Sequence, residues 1–235
     1  MTKPLPTILP LLLLTSITLA QTSAPAPQQL ADHLAALHDV TTLEARFLCE
    51  KRLALLETPL VSSGRVWIKR GNKAGEGAVR FSTEKPYVSE LILAEGKVYA
   101  RSQHETEWAK SNQSSRPGLT AVMGELGGWA TGDASNIAAM YTVAAASPLV
   151  PAPPGNAAAS ANSAIDTFIL TPANKDLAKA VKQITLTLDR AAGTLLYIEI
   201  ITTQDDTTRY WFTDVTKNAP LPEGIFEPRD VPAPR

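Results

Sequence analysis

The feature that most constrains this chain is a succession of short segments in which apolar and polar residues alternate. In "KQITLTLDR", Ile184, Leu186 and Leu188 alternate with Thr185, Thr187 and Asp189, which is the period of a half-buried strand. "RVWIKR", "AVRFS", "SELILAEG", "KVYARS" and "DTFILTP" come before it, and "TLLYIEIITT" and "TTRYWFTDV" follow. Gaps such as "GNKAGEG", "AEGK" and "QDD" separate these runs as hairpin loops do. The architecture that follows is mainly β with short helices (α+β), an antiparallel sheet that can leave one face open or cover it.

Helical spacing appears in a few places. Leu30, Leu34 and Leu37 in "QQLADHLAALHDV" mark a short amphipathic opening helix. In "GLTAVMGELGGW", Leu119, Val122, Met123 and Leu126 share one helical face, and Gly127 with Gly128 is expected to stop the helix. A second helix is expected from "DASNIAAMY", with Asp133 as N-cap and Ile137, Met140 and Tyr141 as its apolar stripe. "TTLEARFLCEKRLALLE" stays open between helix, by propensity, and strand, by the alternation of Leu43, Ala45, Phe47 and Cys49. "TPLVSSG" reads as a turn-rich break. Residues 144–164, rich in Ala, Pro and Ser, read as a flexible excursion inside the domain, and the proline-punctuated tail as extended.

The first residues have the layout of an export signal. Lys3 precedes the apolar run "ILPLLLLTSITLA", and small residues stand before an expected cut after Ala20. A flexible leader is expected over residues 21–27 and a single domain over 28–235. The formal charge of −1 stays near neutral without Lys3, so the basic stripe of a nucleic-acid binder is missing. The lone Cys49 can form no internal disulfide and reads as a small buried hydrophobe.

Motifs of catalysis are absent: no phosphate loop, no GxSxG, no HExxH and no CxxC. His33 and His38 lie five residues apart, a spacing that does not put two imidazoles side by side on a helix, so no metal site is expected. His104, near Glu105 and Glu107, reads as a solvated loop histidine rather than the base of an exported hydrolase. What stands out is apolar. Leu119, Val122, Met123, Leu126 and Met140 suit either an adaptable ligand surface or an ordinary core, and the residues alone leave both open.

"GRVWIKR" adds a question of parity. Gly64, Val66, Ile68 and Arg70 share one side of a strand, so an apolar row ends in a guanidinium; on parity alone Arg70 reads as a strand-end charge reaching for water. The order of "ARFLCEKRLALLETPLVSSGRVWIKR", "VRFSTEKPYVSELILAEGKVYA", "GGWATGDASNIAAMYTV", "ITLTLDRAAGTLLYIEI" and "DTTRYWFTDVTKNAPLPEGIF" resembles the LolA-like periplasmic carriers of outer-membrane lipoproteins. The resemblance implies an incomplete antiparallel β-barrel with a helical lid over an apolar cavity. It also implies strand for residues 41–57, no enzyme activity and no cofactor. The implied function is a monomeric periplasmic shuttle that takes acylated lipoproteins from an inner-membrane transporter to an outer-membrane acceptor. Arg70 matches the arginine that holds the lid shut in that family, although Gly71 and the 144–164 segment depart from its pattern. Strand alternation then places Val66, Ile68, Phe81, Leu91, Leu93, Ile198 and Ile200 on the cavity wall, and the lid stripes add Leu119, Val122, Met123, Leu126, Ile137 and Met140. The alternative is a relative of the same shape with another task, such as an envelope-stress sensor.

Overall fold

The computed structural model describes residues 25–71, 77–105, 107–112, 119–130, 137–155 and 164–229. The chain opens with helix α1 (Ala26–Ala35) and continues as strands β1 (Thr42–Arg52), β2 (Leu60–Lys69), β3 (Ala78–Lys85), β4 (Ser89–Ala94), β5 (Lys97–Ser102) and β6 (Ala109–Asn112). Helices α2 (Leu119–Ala130) and α3 (Ile137–Met140) interrupt the strands, which resume as β7 (Tyr141–Ala146), β8 (Ile165–Pro172), β9 (Val181–Asp189), β10 (Leu195–Thr202) and β11 (Thr207–Lys217). A 3-10 turn, Leu177–Lys179, precedes β9.

All eleven strands form one antiparallel sheet in the order β6-β5-β4-β3-β2-β1-β11-β10-β9-β8-β7. The chain therefore builds outward to one edge, β6, then jumps to the opposite edge, β7, and returns to pair β11 with β1. The two edges do not pair, so the barrel is incomplete, and α2 and α3 lie on the connection between them. A sheet of this length must curl, and its register shows where. Gly64 sits at a shift in the β2–β3 pairing, and a Cβ there would stand 1.9 Å from the Ser82 carbonyl oxygen.

Register carries apolar rows across the concave face. Ala45, Val66, Phe81 and Leu91 are successive partners on β1 to β4, as are Leu43, Ile68, Val79 and Leu93. On the other wing Cys49, Tyr210, Ile198, Leu186 and Phe168 line up from β1 to β8. Helix α1 covers that wing, packing toward β7, and its Leu30 and Leu34, with Leu37 in the turn after it, are buried completely or nearly so. Each such leucine contributes about 2 kcal/mol of apolar burial.

The strand reading of residues 42–52 holds against helix propensity, because β1 is central and both neighbours demand its apolar row. Several expectations need correction. β2 starts at Leu60, so "LVSSG" is strand rather than turn; Leu60 pairs with Lys51 at the end of a long hairpin. Residues 144–146 belong to β7. Residues 149–151 are held to the convex face: Leu149 N donates to Thr167 Oγ1 (3.2 Å), Thr187 Oγ1 to Leu149 O (3.1 Å) and Trp211 Nε1 to Pro151 O (2.8 Å); residues 156–163 of the expected excursion lie outside the described residues. α1 starts at Ala26, inside the expected leader, because Pro27 suits a helix's first turn. β6 was not anticipated. The tail folds into turns at 223–226 instead of staying extended, and its Ile225 is buried. The expected cap Asp133 lies outside the described residues.

Candidate ligand cavity and its helical lid

Between the concave sheet and α2 lies a cavity walled by Leu43, Ala45, Val66, Ile68, Phe81, Leu195, Phe212 and Val215 and roofed by Leu126 and Ala130. All ten side chains are hydrocarbon. The cavity's volume is about 20 Å³. That is room for roughly one water, and an apolar wall gives a water nothing to bind. In this conformation the site is too small for an acyl chain.

The roof comes this close because of a glycine. α2 runs through Gly127 and Gly128 to Ala130, contrary to the expected stop. A Cβ on Gly127 would lie 2.7 Å from Val79 Cγ2 and 3.9 Å from Ile68 Cγ2. The missing side chain lets helix backbone rest on β2 and β3. Here glycine marks close approach, not termination.

Of the wall residues expected from alternation, Val66, Ile68 and Phe81 line the cavity, and Leu126 lines it from the roof. Leu93, Ile137, Ile198 and Ile200 are buried in the surrounding core, and Leu91 and Met140 pack partly buried against it. Leu119, Val122 and Met123 lie on α2, with side chains outside the described residues. Tyr141, expected on a helical stripe, opens β7 instead, since α3 is a single turn.

Among the residues missed, Leu195 and Val215 share a cause. Between β1 and β11 the register shifts across Glu44 and Arg46, and Asp214 takes φ 52°. Period two from Phe212 would put Asp214 on the wall; the bulge brings Val215 there instead. A shift between Leu195 and Tyr197 likewise sets Leu195 on the same side as Ile198. Phe212 was hidden in the run "RYWF", where aromatics fall on both faces. The ring cluster of Phe47, Phe81 and Tyr210, with centroids 5.5 to 5.9 Å apart, stiffens the cavity floor.

Arg70 follows β2. Its backbone N–H donates to Thr41 O (2.8 Å), and its Nη1 donates to the His38 carbonyl oxygen. The acceptor therefore lies on the connector between α1 and β1, not at an end of α2 or α3. α1 is tied at another point as well: His33 Nε2 meets Asp166 Oδ2 at 2.7 Å, and Asp166 accepts from Arg190 Nε at 2.8 Å and from its Nη2. The Arg190 hydrogen bonds hold the Asp166 carboxyl below its ordinary range, with His33 adding to the effect.

Reactive groups are placed without a common site. The Cys49 thiol is buried beside Tyr210 and Ser62, and burial pushes its pKa up. His104 is exposed in the turn after β5, within 2.9 Å of Gln103 Nε2, while Glu105 accepts from Ser102 N at 2.7 Å. Among the described residues no cluster of three His, Cys, Asp or Glu could hold a metal, and no helix is long and apolar enough to cross a membrane.

No protein-family profile and no curated protein matches this sequence. Several solved structures have a similar fold. They include a DUF1329 family protein from Desulfovibrio piger, 10% identical over 87% of this chain and 98% of that one, with a TM-score of 0.49. A putative outer membrane lipoprotein-sorting protein domain from Vibrio parahaemolyticus is 9% identical over 85% of this chain and 95% of its own, with a TM-score of 0.47. A LolA superfamily protein from Nitrosomonas europaea is 10% identical, with 86% and 98% covered and a TM-score of 0.40. At these identities the likeness is one of fold.

Proposed function

We propose that this protein is a periplasmic carrier that holds the acyl chains of lipoproteins between its concave sheet and α2. In this reading it takes them from an inner-membrane transporter to an outer-membrane acceptor, after export with cleavage near Ala20. The observation that carries the proposal is the wholly hydrocarbon cavity beneath a helix seated through a glycine. Val66, Ile68, Phe81 and Leu126 are its first contacts with the chains, and Arg70 steadies the α1–β1 connector beside the mouth.

The energetics favour a closed resting site. Each CH₂ withdrawn from water is worth roughly 0.8 kcal/mol, so two or three long chains would give on the order of 30 kcal/mol gross. Non-covalent affinity stops near 20 kcal/mol, and a carrier must also let go. Spending part of the burial energy on lifting a packed roof limits the net affinity. Mass spectrometry of material co-purifying from the envelope fraction tests the proposal. Triacylated lipoproteins are the expected finding; protein that stays lipid-free after incubation with a cargo-loaded transporter contradicts it and favours a sensor of the same shape.

A further inference from the structure

Two buried polar groups stand unsatisfied at the seam between the lid and the edge strand. Trp129, on α2, is 1% exposed and Tyr141, the first residue of β7, is 3% exposed. Their rings meet edge to face with centroids 5.9 Å apart. Among the described residues, neither Trp129 Nε1 nor the Tyr141 hydroxyl has a hydrogen-bond partner. Buried donors are nearly always paired, and leaving one unpaired costs about 1–3 kcal/mol. Two unpaired groups on touching rings, one on each side of the same seam, call for an explanation.

Their position supplies one. The barrel is open between β6 and β7, and α2 crosses on the connection between those edges. Trp129 stands three residues from Leu126 and next to Ala130, both of which roof the cavity. Lifting α2 from the sheet would part Trp129 from Tyr141 and present an indole N–H and a phenol O–H at the cavity's rim. An indole N–H can only donate, so the complementary ligand group is an acceptor. Glu125, one turn before Trp129, bears electrostatically on the Tyr141 hydroxyl and disfavours a second anion there.

Resting on the carrier reading, we propose that Trp129 and Tyr141 form a polar subsite for the uncharged carbonyl oxygen of an ester- or amide-linked acyl chain. The subsite selects esterified or amidated chains over free fatty acids and over plain hydrocarbon. The chains run into the hydrocarbon cavity while their linkage is held at the seam. The empty subsite leaves both donors unpaired, which disfavours the closed lid and eases its opening.

The test measures binding of methyl palmitate, palmitate and hexadecane by displacement of a fluorescent alkyl probe from the purified protein and from Trp129→Phe and Tyr141→Phe. Wild type is expected to prefer the methyl ester over the other two. Each variant should bind the ester several-fold to about tenfold more weakly, the size of one lost hydrogen bond. Hexadecane affinity should be unchanged and thermal stability equal or higher, because the substitutions delete unpaired groups. Equal losses for ester and hydrocarbon, or no change for the ester, overturn the subsite and leave the carrier reading standing. If wild type binds none of the three, the carrier reading falls and the subsite with it.

Discussion

Asp166 anchors α1 through His33 and Arg70 anchors the connector that follows it, and the two respond to different perturbations. Arg70→Leu deletes a partly exposed hydrogen bond to the His38 carbonyl, so it should lower stability by only about 1 kcal/mol. Its local effect should be larger: hydrogen exchange across residues 36–41 rises while β1 and β2 stay protected. Asp166 gives a pH dependence. Its folded pKa is lowered from 3.8, so its contribution is complete above that value and is lost as pH falls through the folded one. Acid titration followed by exchange in α1 should show loosening below about pH 4, and Asp166→Asn should remove that limb of the curve. Gly127 is a third point of control. In Gly127→Leu the new side chain meets Val79 where even a Cβ lies 2.7 Å away, so α2 should lift, exchange about tenfold faster and admit an apolar dye more readily.

At the scale of elements, the convex face explains why the tail is ordered. Arg80 is wholly buried, although it points away from the cavity. Its Nε donates to Glu90 at 2.9 Å, and its Nη1 and Nη2 donate to the carbonyls of Ile225 at 3.0 Å and Arg229 at 3.1 Å. Arg80→Met would leave Glu90 uncompensated, and we expect a loss of about 3–5 kcal/mol in chemical denaturation. Adding Glu90→Gln should recover part of it, and the tail should become protease-sensitive in the single variant. None of this was legible beforehand, since a guanidinium in "AVRFS" reads as solvent-facing until something distant covers it. Alternation puts Val66, Ile68 and Phe81 on the face that lines the cavity, while Leu91, Leu93, Ile198 and Ile200, expected there by the same period, pack in the core around it. Alternation fails where the backbone breaks its own period, which is why Leu195 and Val215 were missed beside their bulges. It also misjudged Gly127, because a glycine that ends a helix and one that lets a helix touch a sheet look alike in a one-dimensional string.

For the molecule as a whole, the topology assigns the parts. Two wings of antiparallel sheet meet where β1 pairs with β11; α1 fills one wing, and α2 roofs the other over a small apolar space. The central claim is that acyl chains enter beneath α2. It is tested most directly with a triacylated lipopeptide carrying a photoreactive group at a chain end, cross-linked to the protein and mapped by mass spectrometry. The account predicts adducts on the cavity wall, at Leu43, Val66, Phe212 and Val215, and their loss to competing lipopeptide. Adducts confined to the convex face, around Trp67 and Trp211, would contradict it.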